Sequence, residues 1–71
     1  MQVQFVDLTT TIYVRCGLFS YDTKLRQVLD FFADKWMREK VLINGFPIKQ
    51  EDLETNIGRL GFANLQIELH R

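Results

Sequence analysis

Apolar and polar residues alternate with a period of two in three stretches of the chain, a spacing that is typical of strands with one buried face. The first two stretches, residues 1–5 and 12–16, are rich in β-branched and aromatic residues, and the third is residues 64–71. Only a short segment with three threonines separates the first two, so we predict a hairpin whose second strand ends at Gly17. The strand residues predicted to face the core are Met1, Val3, Phe5, Ile12, Val14, Cys16, Leu65, Ile67 and Leu69.

Residues 22–40 have the spacing of an amphipathic helix. A short side-chain oxygen at Asp22 or Thr23 can accept a hydrogen bond from a free N–H group of the first turn, so we predict that the helix begins there. The pattern ends near Arg38 or Lys40. Apolar residues at intervals of three and four form one helical stripe, which consists of Leu25, Val28, Leu29, Phe32 and Trp36.

An Asn-Gly pair at Asn44 and Gly45 is the strongest turn signal in the chain, because both residue types tolerate the positive φ of a two-residue hairpin turn. Pro47 cannot donate a hydrogen bond to a neighbouring strand, so the strand after the turn should be a short edge. Residues 50–61 are mostly polar and predict a wrapping loop with a short helical turn at 57–60. The apolar anchors predicted in this half of the chain are Val41, Ile43, Leu53, Ile57 and Leu60.

The order of these elements and several short motifs resemble those of ubiquitin-like domains over essentially the whole chain. The motifs are Met1-Gln2-Val3, Asp22-Thr23, Leu42-Ile43-Asn44-Gly45, Ile57-Gly58-Arg59-Leu60-Gly61-Phe62 and Leu65-Gln66-Ile67-Glu68-Leu69. The links before the third and last strands are shorter than in ubiquitin, which indicates a divergent member. The resemblance implies an α+β, β-grasp fold, with two strands, a helix, two strands, a short helical turn and a final strand in one domain over residues 1–71. The mixed sheet would pack on the helix, with the first strand between the second and the last and the third outside the last.

Size and charge narrow the possible functions. A chain of 71 residues buries only about 60% of its unfolded surface, which leaves no room for a deep cleft. Nine basic residues balance nine acidic ones, so no net field attracts the domain to nucleic acid or to an anionic membrane. A single cysteine excludes an internal disulfide, and no apolar run is long enough to span a bilayer. We therefore expect a soluble intracellular protein, cytoplasmic or nuclear.

The inventory of reactive side chains argues against catalysis. Ser20 and His70 are the only serine and histidine, and they stand before the helix and at the end of the chain. Cys16 is predicted to be an inert core thiol, and one His and one Cys cannot fill a tetrahedral metal site. We expect no catalytic residue, no metal, no cofactor and no small-molecule substrate.

The resemblance implies that the sheet face opposite the helix is the docking surface for a protein partner. Leu42 takes the central apolar position of that surface and Leu8 the turn position, whereas Gln66 and Glu68 stand where ubiquitin has His and Val. The patch is thus half retained, and the alternative is a set of scattered surface apolar residues. The partner-binding residues predicted on this face are Leu8, Leu42, Val6, Tyr13, Gln66 and Glu68.

Phe31 and Met37 lie on the two flanks of the helical stripe. A helix-side contact, cover by the loop around Phe19, and self-association all explain them, so the oligomeric state stays open.

Three functions fit these observations. The preferred one is a non-catalytic ubiquitin-like domain that binds a protein partner. The alternatives are a conjugated modifier or sulfur carrier, which would need a Gly-Gly tail after Arg71, and a small accessory subunit of an enzyme complex. A fourth function is that of β-grasp relatives such as Ras-binding domains, which recruit a GTPase through a basic second strand. Arg15 is the only residue that supports it.

Overall fold

The computed structural model describes all residues, 1–71, as a five-stranded mixed sheet packed on one helix. The sheet order is β2-β1-β5-β3-β4, with β1 and β5 parallel and the other neighbours antiparallel. The α+β class and the predicted strand neighbours are confirmed. No helix has the length and apolarity that crossing a membrane requires. The elements are β1 (Gln2–Asp7), β2 (Tyr13–Leu18), α1 (Leu25–Phe32), β3 (Lys40–Ile43), β4 (Phe46–Pro47), β5 (Leu65–His70) and three 3₁₀ turns, Trp36–Arg38, Gln50–Glu54 and Ile57–Arg59.

The core lies between α1 and the inner face of β1, β5 and β3. Its side chains are at most 8% exposed, and none of the buried residues is polar or charged. The stripe of the helix and the predicted inward positions of these three strands are all present, and Met1 is partly buried against them. The core residues are Val3, Phe5, Leu25, Val28, Leu29, Phe32, Trp36, Val41, Ile43, Leu53, Ile57, Leu65, Ile67 and Leu69.

The phase predicted for β2 is wrong. Phe5 pairs with Arg15, which places Arg15 on the helix side of the sheet. Because side chains alternate along a strand, Val14 and Cys16 point away from the helix, and Ile12 precedes the strand. Ile12 is 78% exposed, Val14 is 48% exposed, and Cys16 is also exposed rather than an inert core thiol.

Aromatic rings above the helix side of β2 explain this phase. Phe19 packs edge-on against both Phe31 and Phe32, with ring centroids 5.4 and 5.7 Å apart. A Cβ at Gly17 would lie 3.0 Å from a ring carbon of Phe19, so a glycine suits this position. The guanidinium of Arg15 lies 5.4 Å from the ring centroid of Phe32 and donates to the Phe32 carbonyl at 3.3 Å. The rings therefore leave room on the helix side of β2 for Gly17 and for the planar guanidinium of Arg15.

The loop between β1 and β2 holds the same register. The Asp7 carboxylate accepts hydrogen bonds from the Thr9 amide at 2.9 Å and the Thr9 hydroxyl at 2.7 Å. Asp7 in turn pairs with Tyr13, which leaves residues 8–12 as the loop. A shift of one residue would turn every β2 side chain to the other face.

The helix is shorter than predicted at both ends. Its N-cap is Lys24 rather than Asp22 or Thr23, and the Lys24 amide donates to the Gln27 side chain at 3.0 Å. After Phe32 the chain becomes extended, with φ −152° at Ala33. It then turns back, so that Trp36 is 3% exposed and its indole N–H donates to Asp30 at 2.7 Å. The buried tryptophan was predicted, but it reaches the core from a 3₁₀ turn.

The turn between β3 and β4 is as predicted. Asn44 has φ 49° and Gly45 φ 87°, and β4 is a two-residue edge strand that ends at Pro47. The Asn44 side chain accepts from the Gln66 amide at 2.6 Å and donates to the Asn64 carbonyl at 3.1 Å, which fixes the turn to the start of β5. The predicted helical turn is present at Ile57–Arg59, and the loop before it contains an additional 3₁₀ turn.

Candidate functional site

The sheet surface opposite α1 is not covered by any helix, and we call it the open face. Strand register and side-chain alternation define its members. They are Gln2, Gln4, Val6, Val14, Cys16, Leu18, Lys40, Leu42, Pro47, Gln66, Glu68 and His70.

A single row of paired residues crosses the open face from one edge to the other. Val6 pairs with Val14 on one side and with Glu68 on the other, and Leu42 pairs with both Glu68 and Pro47. Directly opposite residues in a sheet lie about 5 Å apart, so these side chains adjoin. The row therefore has an apolar pair on each side of one carboxylate.

Glu68 is held by its neighbours along β5. One of its carboxylate oxygens lies 2.8 Å from Nε2 of His70, and the other lies 3.5 Å from the side-chain nitrogen Nε2 of Gln66. The side chains of Glu68 and His70 are 28% and 35% exposed. The carboxylate is thus partly screened and still accessible at the centre of the row.

Leu8 lies just after β1, two residues beyond Val6 along the chain. Its amide donates to the Leu69 carbonyl at 2.8 Å, which continues the pairing of β1 with β5 by one residue. The side chain is half-buried, next to the turn into β2. The open face therefore contains four of the predicted partner-binding residues, namely Val6, Leu42, Gln66 and Glu68, and Leu8 follows it at the end of β1.

Tyr13 is not on the open face. It pairs with Asp7, and its parity matches that of Arg15, so its side chain projects on the helix side of β2. It is 59% exposed there. A contact of Tyr13 with a partner stays a prediction, but such a contact would lie at the β2 edge rather than on the open face.

The other end of the open face is polar. A shallow groove of about 560 Å³ runs between β2 and the start of β5, lined mainly by Gln2, Gln4, Cys16 and Gln66. Cys16 and His70 share this face but lie two strands apart and about four residues apart along them, roughly 13 Å at the rise of a strand. The two groups are too far apart to act as a catalytic pair.

A second, more apolar groove lies beside β4, outside the predicted site. It has a volume of about 500 Å³ and is lined in part by Phe46, Ile48, Leu60 and Phe62. Phe46 is 65% exposed at its rim. The sequence signal for this groove was the pair of apolar residues on either side of Pro47.

Exposed ion pairs join the 3₁₀ turn Gln50–Glu54 to the start of α1. Glu54 accepts from Nε of Arg26 at 2.9 Å and lies 3.3 Å from Nζ of Lys24. These hydrogen bonds, first from Arg26 and then from Lys24, lower the pKa of the Glu54 carboxyl below its usual value of 4.5. They tie the loop after β4 to the start of α1 and are remote from the open face.

Sequence reasoning missed Val14, Cys16, Leu18 and Pro47 as members of the open face. The available signal was the unbroken alternation Ile12, Val14, Cys16, Leu18, which is as compatible with the open face as with the core. No family model, no curated protein and no solved structure matches the chain.

Proposed function

We propose that this protein is a non-catalytic, ubiquitin-like domain of β-grasp fold that binds a protein partner through its open face, without a cofactor, in the cytoplasm or nucleus. The fold part of the proposal is supported by the central parallel pair β1–β5, flanked by two hairpins and packed on a single helix. The motifs that resemble ubiquitin-like domains lie at the start of β1, just before α1, at the end of β3 and in its turn, around the 3₁₀ turn Ile57–Arg59, and along β5.

The row across the open face carries the functional part. Val14 and Val6 on one side, and Leu42 and Pro47 on the other, are apolar residues on a surface with no cover from the chain itself. Burial of such side chains contributes about 25 cal/mol per Å² of apolar surface removed from water, and the entropy lost on association offsets part of this contribution. A contiguous row provides more of this surface than scattered residues do.

Glu68 sets the chemistry of the partner. A carboxylate that is desolvated without a new donor is costly, so a fully apolar partner surface is disfavoured. The complementary surface has two apolar contacts with an Arg or Lys between them, placed to donate to Glu68 in addition to His70. This requirement separates the proposed partner from proteins that recognise an uncharged apolar patch.

The test is a comparison of partner binding by open-face and opposite-face variants. Proteins captured by the wild-type domain are identified by quantitative mass spectrometry, and the strongest candidate is purified and titrated by calorimetry. Leu42→Asp should abolish binding, because it adds a second carboxylate beside Glu68. Glu68→Gln should weaken binding by about tenfold, the cost of losing one charge-assisted hydrogen bond.

Met37→Gln is the matched control, since Met37 is 70% exposed in the turn after α1 and away from the open face. It should bind like the wild type. Circular dichroism must show that all variants are folded. Undiminished binding by folded Leu42→Asp would refute the open face as the docking surface.

A further inference from the structure

The two edges of the sheet differ in how well they are protected from pairing with another strand. The β4 edge is two residues long and contains Pro47, which has no amide hydrogen to donate. The β2 edge is six residues long and contains neither Pro nor Lys. Its pairing with β1 is continuous from Leu18 to Tyr13, with no bulge. Apart from Arg15, whose charge lies on the helix side, the β2 edge thus lacks the usual devices that prevent edge pairing.

The free hydrogen-bonding groups of the β2 edge can be assigned from its partner strand. Met1 and Phe19 exchange both of their backbone hydrogen bonds, at 2.6 and 2.9 Å. Bonded pairs recur at every second residue of an antiparallel ladder, so Val14, Cys16 and Leu18 direct their N–H and C=O groups away from β1. None of the loop and turn hydrogen bonds uses these groups.

Exposed apolar side chains border this edge on both sides of the sheet. Leu18 is 84% exposed and Val14 48% exposed on the open face. On the helix side, Phe31 is 61% exposed, and it lies over the edge because Arg15 and Phe19 both contact its ring. A strand added at this edge would cover side chains on both faces as well as the backbone.

We propose that the occupant of this edge is a second copy of the chain, paired antiparallel to β2 about a two-fold axis. A two-fold interface must be complementary to itself, and an antiparallel strand edge satisfies this condition. The chain has no net charge, so two copies do not repel each other. Arg15 is the only charged residue of β2 and selects the register.

Pairing centred on Cys16 places Arg15 of one copy opposite Gly17 of the other and overlaps five residues of each strand, 14–18. Pairing centred on Arg15 would set two arginines directly opposite each other, which is destabilising. In the Cys16-centred register, each Val14 faces a Leu18 of the second copy. The sheet then becomes ten-stranded, with both open faces on the same side and free.

The first test is the molar mass under reducing conditions, measured by light scattering over a wide range of concentrations. The wild type should have twice the 8.4 kDa mass of the chain. Leu18→Lys places a charge at the edge, and Cys16→Pro removes an outward N–H that β1 does not use, so both variants should be monomers. Leu42→Lys, on the open face but away from this edge, should remain a dimer. A monomeric wild type overturns the proposal, as does a dimer that persists in either edge variant once folding is verified.

The second test concerns the register. Opposite residues of a bonded antiparallel pair have Cα atoms about 5.5 Å apart, within the range that a disulfide spans. Diamide should therefore join the two Cys16 thiols rapidly, because it takes up the two protons and two electrons that they release and is reduced to the hydrazine. In the Cys16→Ser, Gln4→Cys control, the thiol lies on the same face but one strand further in. Equal rates of covalent dimer formation in the two proteins would overturn the Cys16-centred register.

Discussion

The two hairpins of the sheet obtain their registers from different sources. The β3–β4 hairpin turns at Asn44 and Gly45, both at positive φ, and this local geometry is sufficient to align the strands. The β1–β2 hairpin has a five-residue loop, and the aromatic rings of Phe19 and Phe32 determine which side of β2 lies beneath the helix. The first register is specified by the turn itself, and the second by tertiary packing together with the hydrogen bonds from Thr9 to Asp7 in the loop.

The difference also explains why the two edges have different surfaces. In the register that packing determines, Arg15 and Gly17 lie on the helix side of β2. Val14, Cys16 and Leu18 therefore face the solvent. The turn-determined hairpin instead ends after two residues at Pro47. One hairpin thus terminates the sheet, and the other leaves an apolar edge that can pair further.

The largest loss of stability is expected when the ring that covers β2 is removed. Phe32 stacks on Phe5 with centroids 5.0 Å apart and also contacts Phe19 and Arg15. Phe32→Ala should destabilise the domain by about 3–5 kcal/mol, much of the roughly 4–10 kcal/mol expected for a chain of this length. Urea unfolding followed by Trp36 fluorescence measures the change.

Phe46→Ala is the matched control for this variant. Phe46 is an aromatic residue of the other hairpin and is 65% exposed. Its truncation should lower the free energy of unfolding by less than about 0.5 kcal/mol. If the two variants lost equal stability, packing would matter as much for the β3–β4 hairpin as for the β1–β2 hairpin, and the contrast between them would be wrong.

A smaller loss of stability is expected when a side chain is added beneath the same rings. Gly17→Val would place its Cβ 3.0 Å from Phe19 and 3.4 Å from Phe32, and the overpacking should cost about 1–3 kcal/mol. Cys16→Val adds the same side chain on the open face and should be neutral within about 0.5 kcal/mol. If thermal melts showed the two variants to be equally stable, Gly17 would not determine the phase of β2.

In the turn-specified hairpin, the corresponding change acts through the backbone alone. Gly45 has φ 87° and open space around its Cβ position, so Gly45→Ala should cost about 1 kcal/mol from strain without any clash. Gly45→Asn should cost less, because asparagine tolerates this conformation. Chemical denaturation of both variants checks the order, and a reversal would mean that the turn changes type.

The sequence was a sufficient guide where the determinants are local. Apolar periodicity predicted the buried faces of β1, β3, β5 and α1, and Asn44-Gly45 predicted the second hairpin. It failed for β2, because the alternation of Val14 and Cys16 is equally compatible with either face. The rings of Phe19 and of Phe32, the second of which lies far along the chain, decide between the faces. For the same reason the candidate site was predicted in its β1, β3 and β5 part and missed along β2.

The smallest expected effect tests whether charge has any part in this difference. Glu54 lies outside both hairpins, and its pKa is lowered by hydrogen bonds from Arg26 and Lys24. A carboxyl with a lowered pKa in the folded state stabilises the fold above its unfolded pKa, near 4.5, and this contribution is lost as the pH falls through the folded pKa. Glu54→Gln should therefore lower the melting temperature slightly at pH 7 and not at all at the acid end of a pH series. Screening at this exposed site keeps the difference small and reduces it further in high salt. A pH-independent difference would assign the effect of Glu54 to packing of the loop against α1, which would extend tertiary control of the fold beyond β2.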